Sequence, residues 1–150
     1  MNFAFSEEQE ELRRIVRQFL DSKSSEAEVR RLMETTEGYD PATWSQMANE
    51  LGLQSLIIPE EFGGQGYGYV ELTVVLEEMG RSLLCAPYFS SVVLAGNTLL
   101  HSGDDAAKNC ATIWMPSMAN AKKLLAISGI TTAIVILFFL RKLLAKGLGW

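Results

Sequence analysis

Two pairs of adjacent glutamates, Glu60-Glu61 and Glu77-Glu78, are the first candidates for acid–base chemistry. Two carboxylates can act as general acid and base only when both reach the same substrate. Adjacent residues of a helix point to different faces, so this spacing disfavours convergence on one atom. The sequence therefore predicts solvated carboxylates in both pairs, and we assign no catalytic residue.

Three glycines in one loop, Gly64, Gly66 and Gly68, invite comparison with a dinucleotide-binding turn. That turn follows a strand, opens a helix and spaces its glycines by one and then two residues. Here a single residue separates each glycine from the next. The pattern favours tight turns with positive φ angles over a phosphate site, and residues that bind a cofactor stay unassigned.

The remaining reactive side chains stand far apart in the sequence. His101 is the single histidine and precedes Ser102-Gly103, near a predicted helix end where an imidazolium would interact favourably with the dipole. Cys85 and Cys110 lie in apolar stretches without metal-ligand spacing, which favours two reduced thiols over a disulfide. We predict a capping or surface role for His101 and no metal site.

Charge is unevenly distributed along the 150 residues. Residues 1–105 hold all 18 acidic side chains and 7 basic ones, a net charge of -11, whereas residues 106–150 hold 6 basic and no acidic ones. Nucleic-acid binding needs clustered Lys and Arg, so the acidic body disfavours nucleic acid as a partner. The polar N-terminus is unlike a secretory signal. We therefore expect a cytoplasmic acidic body followed by a basic, apolar tail.

Amphipathic helices are predicted to position these groups. Helix starts are marked by capping residues: Ser6 with Gln9, Ser25 with Glu28, and Asp40 followed by Pro41. Apolar spacings of three and four predict helices over about 7–20, from 25 to before Gly38, and from 41 to Gly52. Arg13, Arg14 and Arg17 follow Glu7, Glu10 and Glu11 by about one turn, which predicts a solvated ion-pair face.

The second half of the body continues this pattern after one long loop. Residues 53–58 form an extended lead-in, and the glycines up to Gly68 break any helix. A helix from about Val70 to Leu84 carries apolar residues on more than one face and is expected to be buried on both sides. Another helix is predicted from Phe89 to Leu100, with inward-facing apolar residues at Val92, Val93, Leu94, Leu99 and Leu100. The predicted fold is all-α, with up to six packed helices and a C-terminal hydrophobic helix.

The loop and its flanks carry the most specific motif of the chain. The run IPEEFGGQG occupies residues 58–66, ELGL precedes it at 50–53, and EEMGR follows at 77–81. With FSEEQ at 5–9, APY at 86–88 and GDDAAK at 103–108, these segments resemble the N-terminal helical domain of flavin-dependent acyl-CoA dehydrogenases. The resemblance covers about five sixths of the chain and fades between residues 115 and 127.

The resemblance implies a domain that covers one side of a flavin and acyl-thioester cleft. Enzymes of the family desaturate the bond next to the thioester carbonyl while FAD accepts the hydride. Their flavin contacts come from a middle β domain and their base from a C-terminal domain, which would both follow residue 127. The sequence departs from the pattern at Ser128, so no catalytic residue is carried over. We expect FAD and the base to come from another dehydrogenase chain or from a homo-oligomer.

By the same resemblance, the helices that match residues 70–84 and 88–100 help to wall the acyl-chain pocket. Tyr88, Phe89, Val92 and Val93 are therefore the candidate residues that bind the acyl-CoA substrate. The alternative is that these four side chains are simply part of the core. The pocket side of such a domain is also expected to expose apolar surface when nothing covers it.

Residues 124–140 form a run of 17 residues without a charge, between Lys122-Lys123 and Arg141-Lys142. As a helix the run would span about 25 Å, slightly less than a hydrocarbon core of about 30 Å. We predict a C-terminal membrane anchor within residues 124–146. An orphan strand or aggregation-prone end, or a buried helix, are the alternatives.

The predicted organisation is a helical domain over 1–110, a connecting segment over 111–123 and the hydrophobic tail over 124–146. Two classes of function remain open. In the first, the chain is part of an acyl-CoA dehydrogenase and supplies the wall of the acyl pocket. In the second, it is a non-catalytic helical interaction module or a truncated remnant, held at a membrane by its tail.

Overall fold

The structure of the chain is a computed structural model, and it describes residues 4–106 and 108. Helices make up all the regular structure of these residues. The α-helices are α1 (Glu7–Lys23), α2 (Glu26–Met33), α3 (Pro41–Asn49), α4 (Tyr69–Arg81) and α5 (Asn97–Leu100). A π-helical segment, Phe89–Gly96, runs directly into α5, and 3-10 turns occupy Leu53–Ser55 and Glu60–Phe62. The predicted all-α fold is confirmed for this part of the chain.

The three predicted helix starts are confirmed by their capping hydrogen bonds. The Gln9 amide donates to Ser6 Oγ at 3.2 Å, and Gln9 Oε1 accepts from the Ser6 amide at 3.0 Å. At α2 only one bond of the predicted capping box is present, since Ser25 Oγ accepts from the Glu28 amide at 3.3 Å, and at α3 Asp40 accepts from the Thr43 amide at 3.0 Å. Each bond satisfies an amide that the first turn leaves without a helical partner. The helix ends differ from prediction, since α1 continues to Lys23 and α2 stops at Met33.

One apolar core lies between α1, α3, α4 and the π-helical segment. Trp44 and Tyr88 meet edge to face near its centre, with ring centroids 6.4 Å apart. The side chains buried in this core are Val16, Leu20, Trp44, Met47, Leu53, Leu56, Ile57, Leu72, Val75, Met79, Tyr88 and Val92. The core holds α4 and the π-helical segment in place, so it positions every residue of the candidate site described below.

The sequence predicts that α4 is buried on both sides, but the structure buries it only on one. It buries a broad face through Leu72, Val74, Val75 and Met79. Its opposite side is exposed at Val70, Thr73, Glu77 and Gly80, which recur at helical spacing. The prediction is wrong for this domain, because the exposed strip faces solvent over the described residues.

The long loop is pinned by backbone hydrogen bonds rather than extended. The Gly66 amide donates to Ile58 O at 2.8 Å, and the Tyr67 amide donates to Leu56 O at 3.0 Å. Gly66 has a φ of +68°, as its role in a tight turn predicts. Gly64 serves a different purpose, because a Cβ there would lie 2.1 Å from Ile58 O.

The predicted membrane anchor, residues 124–146, lies outside the described residues, as does the connecting segment over 111–123. Within residues 4–106 and 108, every helix is too short or too polar to cross a bilayer.

Candidate functional site

Three of the four predicted substrate-lining residues lie in the π-helical segment Phe89–Gly96, and the fourth, Tyr88, directly precedes it. A π-helix uses hydrogen bonds from residue i to residue i+5, occurs rarely, and is found frequently at functional sites. The sequence predicts an ordinary helix over residues 89–100, because periodicity alone does not distinguish the wider turn. This unusual backbone is the local feature that sets the region apart from the other helices described.

The structure separates the four predicted residues into two groups. Tyr88 and Val92 are buried in the core, and the Tyr88 hydroxyl donates to Leu53 O at 2.8 Å. Burial raises the pKa of Tyr88, so this phenol stays neutral. Phe89 is 57% exposed, and Val93 is half-buried. The acyl contacts themselves remain a prediction, but Phe89 is the member of the set best placed to meet a ligand.

Leu94 joins Phe89 on the exposed side of the π-helical segment, so the prediction that Leu94 points inward is wrong. Leu94 is 56% exposed, and Ser90 is exposed between the two. In an α-helix, residues five apart lie about 140° apart around the axis. The i to i+5 bonds of a π-helix bring such residues close to one another. We call this surface, formed by Phe89, Ser90 and Leu94, the π face.

A polar cluster joins the start of α4 to the junction between the π-helical segment and α5. The Tyr69 hydroxyl donates to Asn97 Oδ1 at 2.6 Å and lies 3.0 Å from His101 Nε2. Because the hydroxyl proton is used by Asn97, the Tyr69 oxygen accepts from His101. Asn97 Nδ2 in turn donates to Val93 O at 2.7 Å. His101 thus lies at a helix end on the surface, as its sequence position predicts.

Glu78 corrects the prediction of a solvated carboxylate. It is 1% exposed, and its oxygens accept from Arg17 at 2.6 and 2.9 Å and from Arg81 at 2.8 Å. The hydrogen bond from Arg17 lowers the pKa of Glu78 most, burial opposes it, and Arg81 assists, for a value of about 2. A carboxylate held ionised and paired in this way serves packing, and it offers no proton near neutral pH.

The predicted ion-pair face of α1 is only partly confirmed. Arg14 pairs with Glu11 on the same helix, as expected. Arg13 lies 3.7 Å from Glu10 of α1 but also bonds Glu77 of α4 at 2.7 Å, and Arg17 bonds Glu78. These pairs join two helices whose residues lie more than 60 positions apart, a relationship that local spacing does not reveal.

Glu60 and Glu61 are exposed, which confirms the prediction for that pair. Beside them lies a shallow cavity of about 250 Å³ near Phe62, Tyr67 and His101. Lys108 occupies its rim, 2.8 Å from Asp105 and 5.5 Å from the Phe62 ring centre, so its charge is already balanced. Among the described residues, no group of three or more metal-ligating side chains comes together.

Neither of two cavities in the described part of the chain fits a flavin. The 250 Å³ cavity is below the roughly 300–1,000 Å³ of ordinary small-molecule sites. A second hollow of about 410 Å³ along α1 is lined by Glu and Arg side chains alone, with no aromatic side chain against which an isoalloxazine ring could stack. Fold and site together define a small helical domain whose distinctive surface is an apolar face on a π-helical turn.

Comparison with known proteins identifies the family. The family described as "Acyl-CoA dehydrogenase, N-terminal domain" matches residues 6–122. The chain therefore belongs to the acyl-CoA dehydrogenase family. It is similar to the acyl-CoA dehydrogenase IpdE2 of Mycolicibacterium smegmatis, with 41% identity over 98 residues, 65% of this chain and 31% of that one. It is also similar to the mitochondrial isovaleryl-CoA dehydrogenase of Pongo abelii, with 31% identity over 69% of this chain and 25% of that one.

Solved structures agree with this assignment. The ChsE4-ChsE5 complex from Mycobacterium tuberculosis superimposes with a TM-score of 0.66 and 28% identity, over 75% of this chain and 32% of the matched one. A variant of the steroid acyl-CoA dehydrogenase Tcur3481-Tcur3483 gives a TM-score of 0.64 and 27% identity, over 75% and 30% of the two chains. The chain thus spans between a quarter and a third of the length of these relatives.

Proposed function

We propose that this domain supplies one wall of the acyl-chain site of an FAD-dependent acyl-CoA dehydrogenase. The observation that carries the proposal is the π face, where Phe89 and Leu94 are each more than half exposed. Exposed apolar side chains grouped on an unusual backbone mark a surface that contacts something apolar. An acyl chain is the apolar partner that membership of the family suggests.

FAD and the base that removes the α-proton belong, in this proposal, to a second dehydrogenase chain. Two observations support the division. Neither of the two cavities described above fits a flavin. The similar ChsE4-ChsE5 structure is a complex of two named components. FAD would supply hydride acceptance on the partner, while this chain would exclude water and hold the acyl chain.

The proposal is tested by reconstitution. The full chain is mixed with FAD-containing dehydrogenase subunits from the same genome, and dye reduction is measured with acyl-CoA substrates of increasing length. Leu94→Trp should narrow the acyl site and reduce turnover of the longest substrates most. Met33→Trp is the matched control, because Met33 is 72% exposed on α2, away from the π-helical segment in sequence. Equal effects of the two variants would contradict an acyl wall at the π face.

A non-catalytic interaction module is the second candidate. It is favoured by the described residues having no flavin site and by Glu78 being committed to ion pairs rather than proton transfer. In this case the π face would contact a protein partner instead of an acyl chain. Binding of a dehydrogenase subunit without any change in its substrate preference would support this alternative.

A further inference from the structure

We propose that Tyr69 and Asn97 are positioning residues that hold the segment Phe89–Gly96 in its π register and thereby shape the π face. The inference rests on the proposed function only where it concerns acyl chains. The claim that Tyr69 and Asn97 hold the π register rests on contacts among the described residues alone.

The first step is the dependence of the π face on backbone register. Buried positions in this region are Tyr88, Ser91, Val92 and Gly96, and exposed positions are Phe89, Ser90, Leu94 and Thr98. Phe89 and Leu94 on the exposed side, and Ser91 and Gly96 on the buried side, are each five positions apart, which is the spacing of a π-helical hydrogen bond. If the segment relaxed to an α-helix, Phe89 and Leu94 would separate by about 140° around the axis. The π register therefore brings Phe89 and Leu94 closer together on the surface than an α-helix would.

The hydrogen-bond register changes at the junction between the π-helical segment and α5. The π-helical segment ends at Gly96 and α5 begins at Asn97. The Asn97 amide is shared between Leu94 O and Val93 O, so the hydrogen-bond ladder is in transition at this residue. Asn97 Nδ2 adds a side-chain donor to Val93 O at 2.7 Å. A side chain that bonds a carbonyl at this junction stabilises the changed pattern of bonds.

The third step is the anchor that orients the Asn97 side chain. Its Oδ1 accepts from the Tyr69 hydroxyl at 2.6 Å, and Tyr69 opens α4, which the core fixes through Leu72 and Val75. The Tyr69 oxygen also meets His101 Nε2 at 3.0 Å, one turn after Asn97. Tyr69 is thus bonded to two residues beyond the junction while belonging to a different helix. This arrangement ties the junction to the rigid part of the domain.

Disulfide trapping reads the register directly in the full chain. Cys85→Ser and Cys110→Ser remove the native thiols, and Phe89→Cys with Leu94→Cys places a pair on the π face. A disulfide needs Cα atoms within about 7 Å. In an α-helix, five residues rise about 7.5 Å along the axis alone, so the pair would not close there. The parent chain should therefore cross-link under mild oxidation.

Tyr69→Phe and Asn97→Leu are then introduced into this background. Each variant removes the bond between Tyr69 and Asn97 and one further bond, so each should lower the rate of cross-linking by about fivefold or more, since one ordinary hydrogen bond contributes a factor of about five. Thr98→Val is the matched control, because Thr98 Oγ1 donates to Leu94 O at 2.8 Å but is not bonded to α4. It should cross-link at the parent rate. Tyr69→Phe removes a single exposed hydroxyl, so it keeps the test available if Asn97→Leu fails to fold.

The relative rates of cross-linking decide the proposal. Slower cross-linking in Tyr69→Phe with an unchanged rate in Thr98→Val supports the proposal. A parent chain that does not cross-link, or equal rates in all variants, overturns it. No step uses flavin or acyl-CoA, so the result is independent of the proposed function. In the reconstituted enzyme, Tyr69→Phe should raise KM for long acyl-CoA substrates and leave kcat unchanged, whereas an inactive complex would count against the proposed function alone.

Discussion

Arg17 of α1 forms a bidentate ion pair with Glu78 of α4, in which Nε donates to Oε2 at 2.9 Å and Nη2 donates to Oε1 at 2.6 Å. The carboxylate is almost fully buried, whereas the Arg17 side chain is half exposed. Arg81 adds a third bond and reaches Asp21 of α1 with its other nitrogen, at 2.7 Å. A charged cluster therefore joins α1 and α4, two of the helices that enclose the core. This cluster ties α4 to α1. Tyr69 at the start of α4 belongs to the candidate site.

Removing the charge of Glu78 should destabilise the domain. Glu78→Gln leaves a buried group that satisfies its arginine partners less well, and we expect the free energy of unfolding to fall by about 2–3 kcal/mol. Glu77→Gln is the matched control on the neighbouring residue, which is largely exposed and bonds only Arg13. It should cost less than about 1 kcal/mol. Urea denaturation of both variants checks the difference, and equal losses would contradict the buried cluster.

Stability should depend on pH through the same residue. The folded pKa of Glu78 is about 2, below its ordinary value of 4.5, so the unfolded chain binds a proton more readily. The contribution of Glu78 is therefore present above about pH 4.5 and is lost as the pH falls toward 2. The difference in unfolding free energy between the native chain and Glu78→Gln should shrink across this range. A difference that stays constant from pH 6 to pH 2.5 would refute the assignment.

Two substitutions of glycine by alanine should change the thermal stability of the domain in opposite directions. Gly64→Ala brings a Cβ against Ile58 O, a backbone atom that cannot move aside cheaply, so the loop must distort and stability must fall. Gly80→Ala meets nothing within 4 Å and lies in α4. Alanine is favoured over glycine in a helix by about 1 kcal/mol, so this variant should be more stable. Thermal denaturation should order the midpoints Gly80→Ala, native chain, Gly64→Ala.

Leu83 has a φ of +52°, and it is the non-glycine residue with positive φ in the described chain. Its amide donates to Gly80 O and the Leu84 amide donates to Met79 O, the bonds of a Schellman ending in which glycine is usual. Since the side chain is 70% exposed, Leu83→Gly should relieve strain and stabilise the domain by about 1 kcal/mol. Leu83→Ala keeps the strained backbone and should change little. A Leu83→Gly variant no more stable than Leu83→Ala would exclude strain at this position.

Local signals in the sequence explain which parts of the structure could be predicted. Ser6, Ser25 and Asp40 cap their helices within three residues, so their hydrogen bonds are visible in the sequence. The burial of Glu78 depends on arginines 61 and 65 positions away, and spacing within α4 suggests solvent exposure instead. The exposure of Leu94 was mispredicted for a related reason, because contacts between different helices hold the π register. Tertiary contacts therefore decide the features that make up the candidate site.

The central claim is that the π face touches the acyl chain. It is tested most directly by irradiating the reconstituted complex with an acyl-CoA that carries a diazirine on its acyl chain, and by mapping the labelled peptides by mass spectrometry. We expect labels on residues 89–94 that decrease when unlabelled acyl-CoA competes. Labels confined to other parts of this chain, such as α2 around Met33, or to the partner chain alone, would contradict the account.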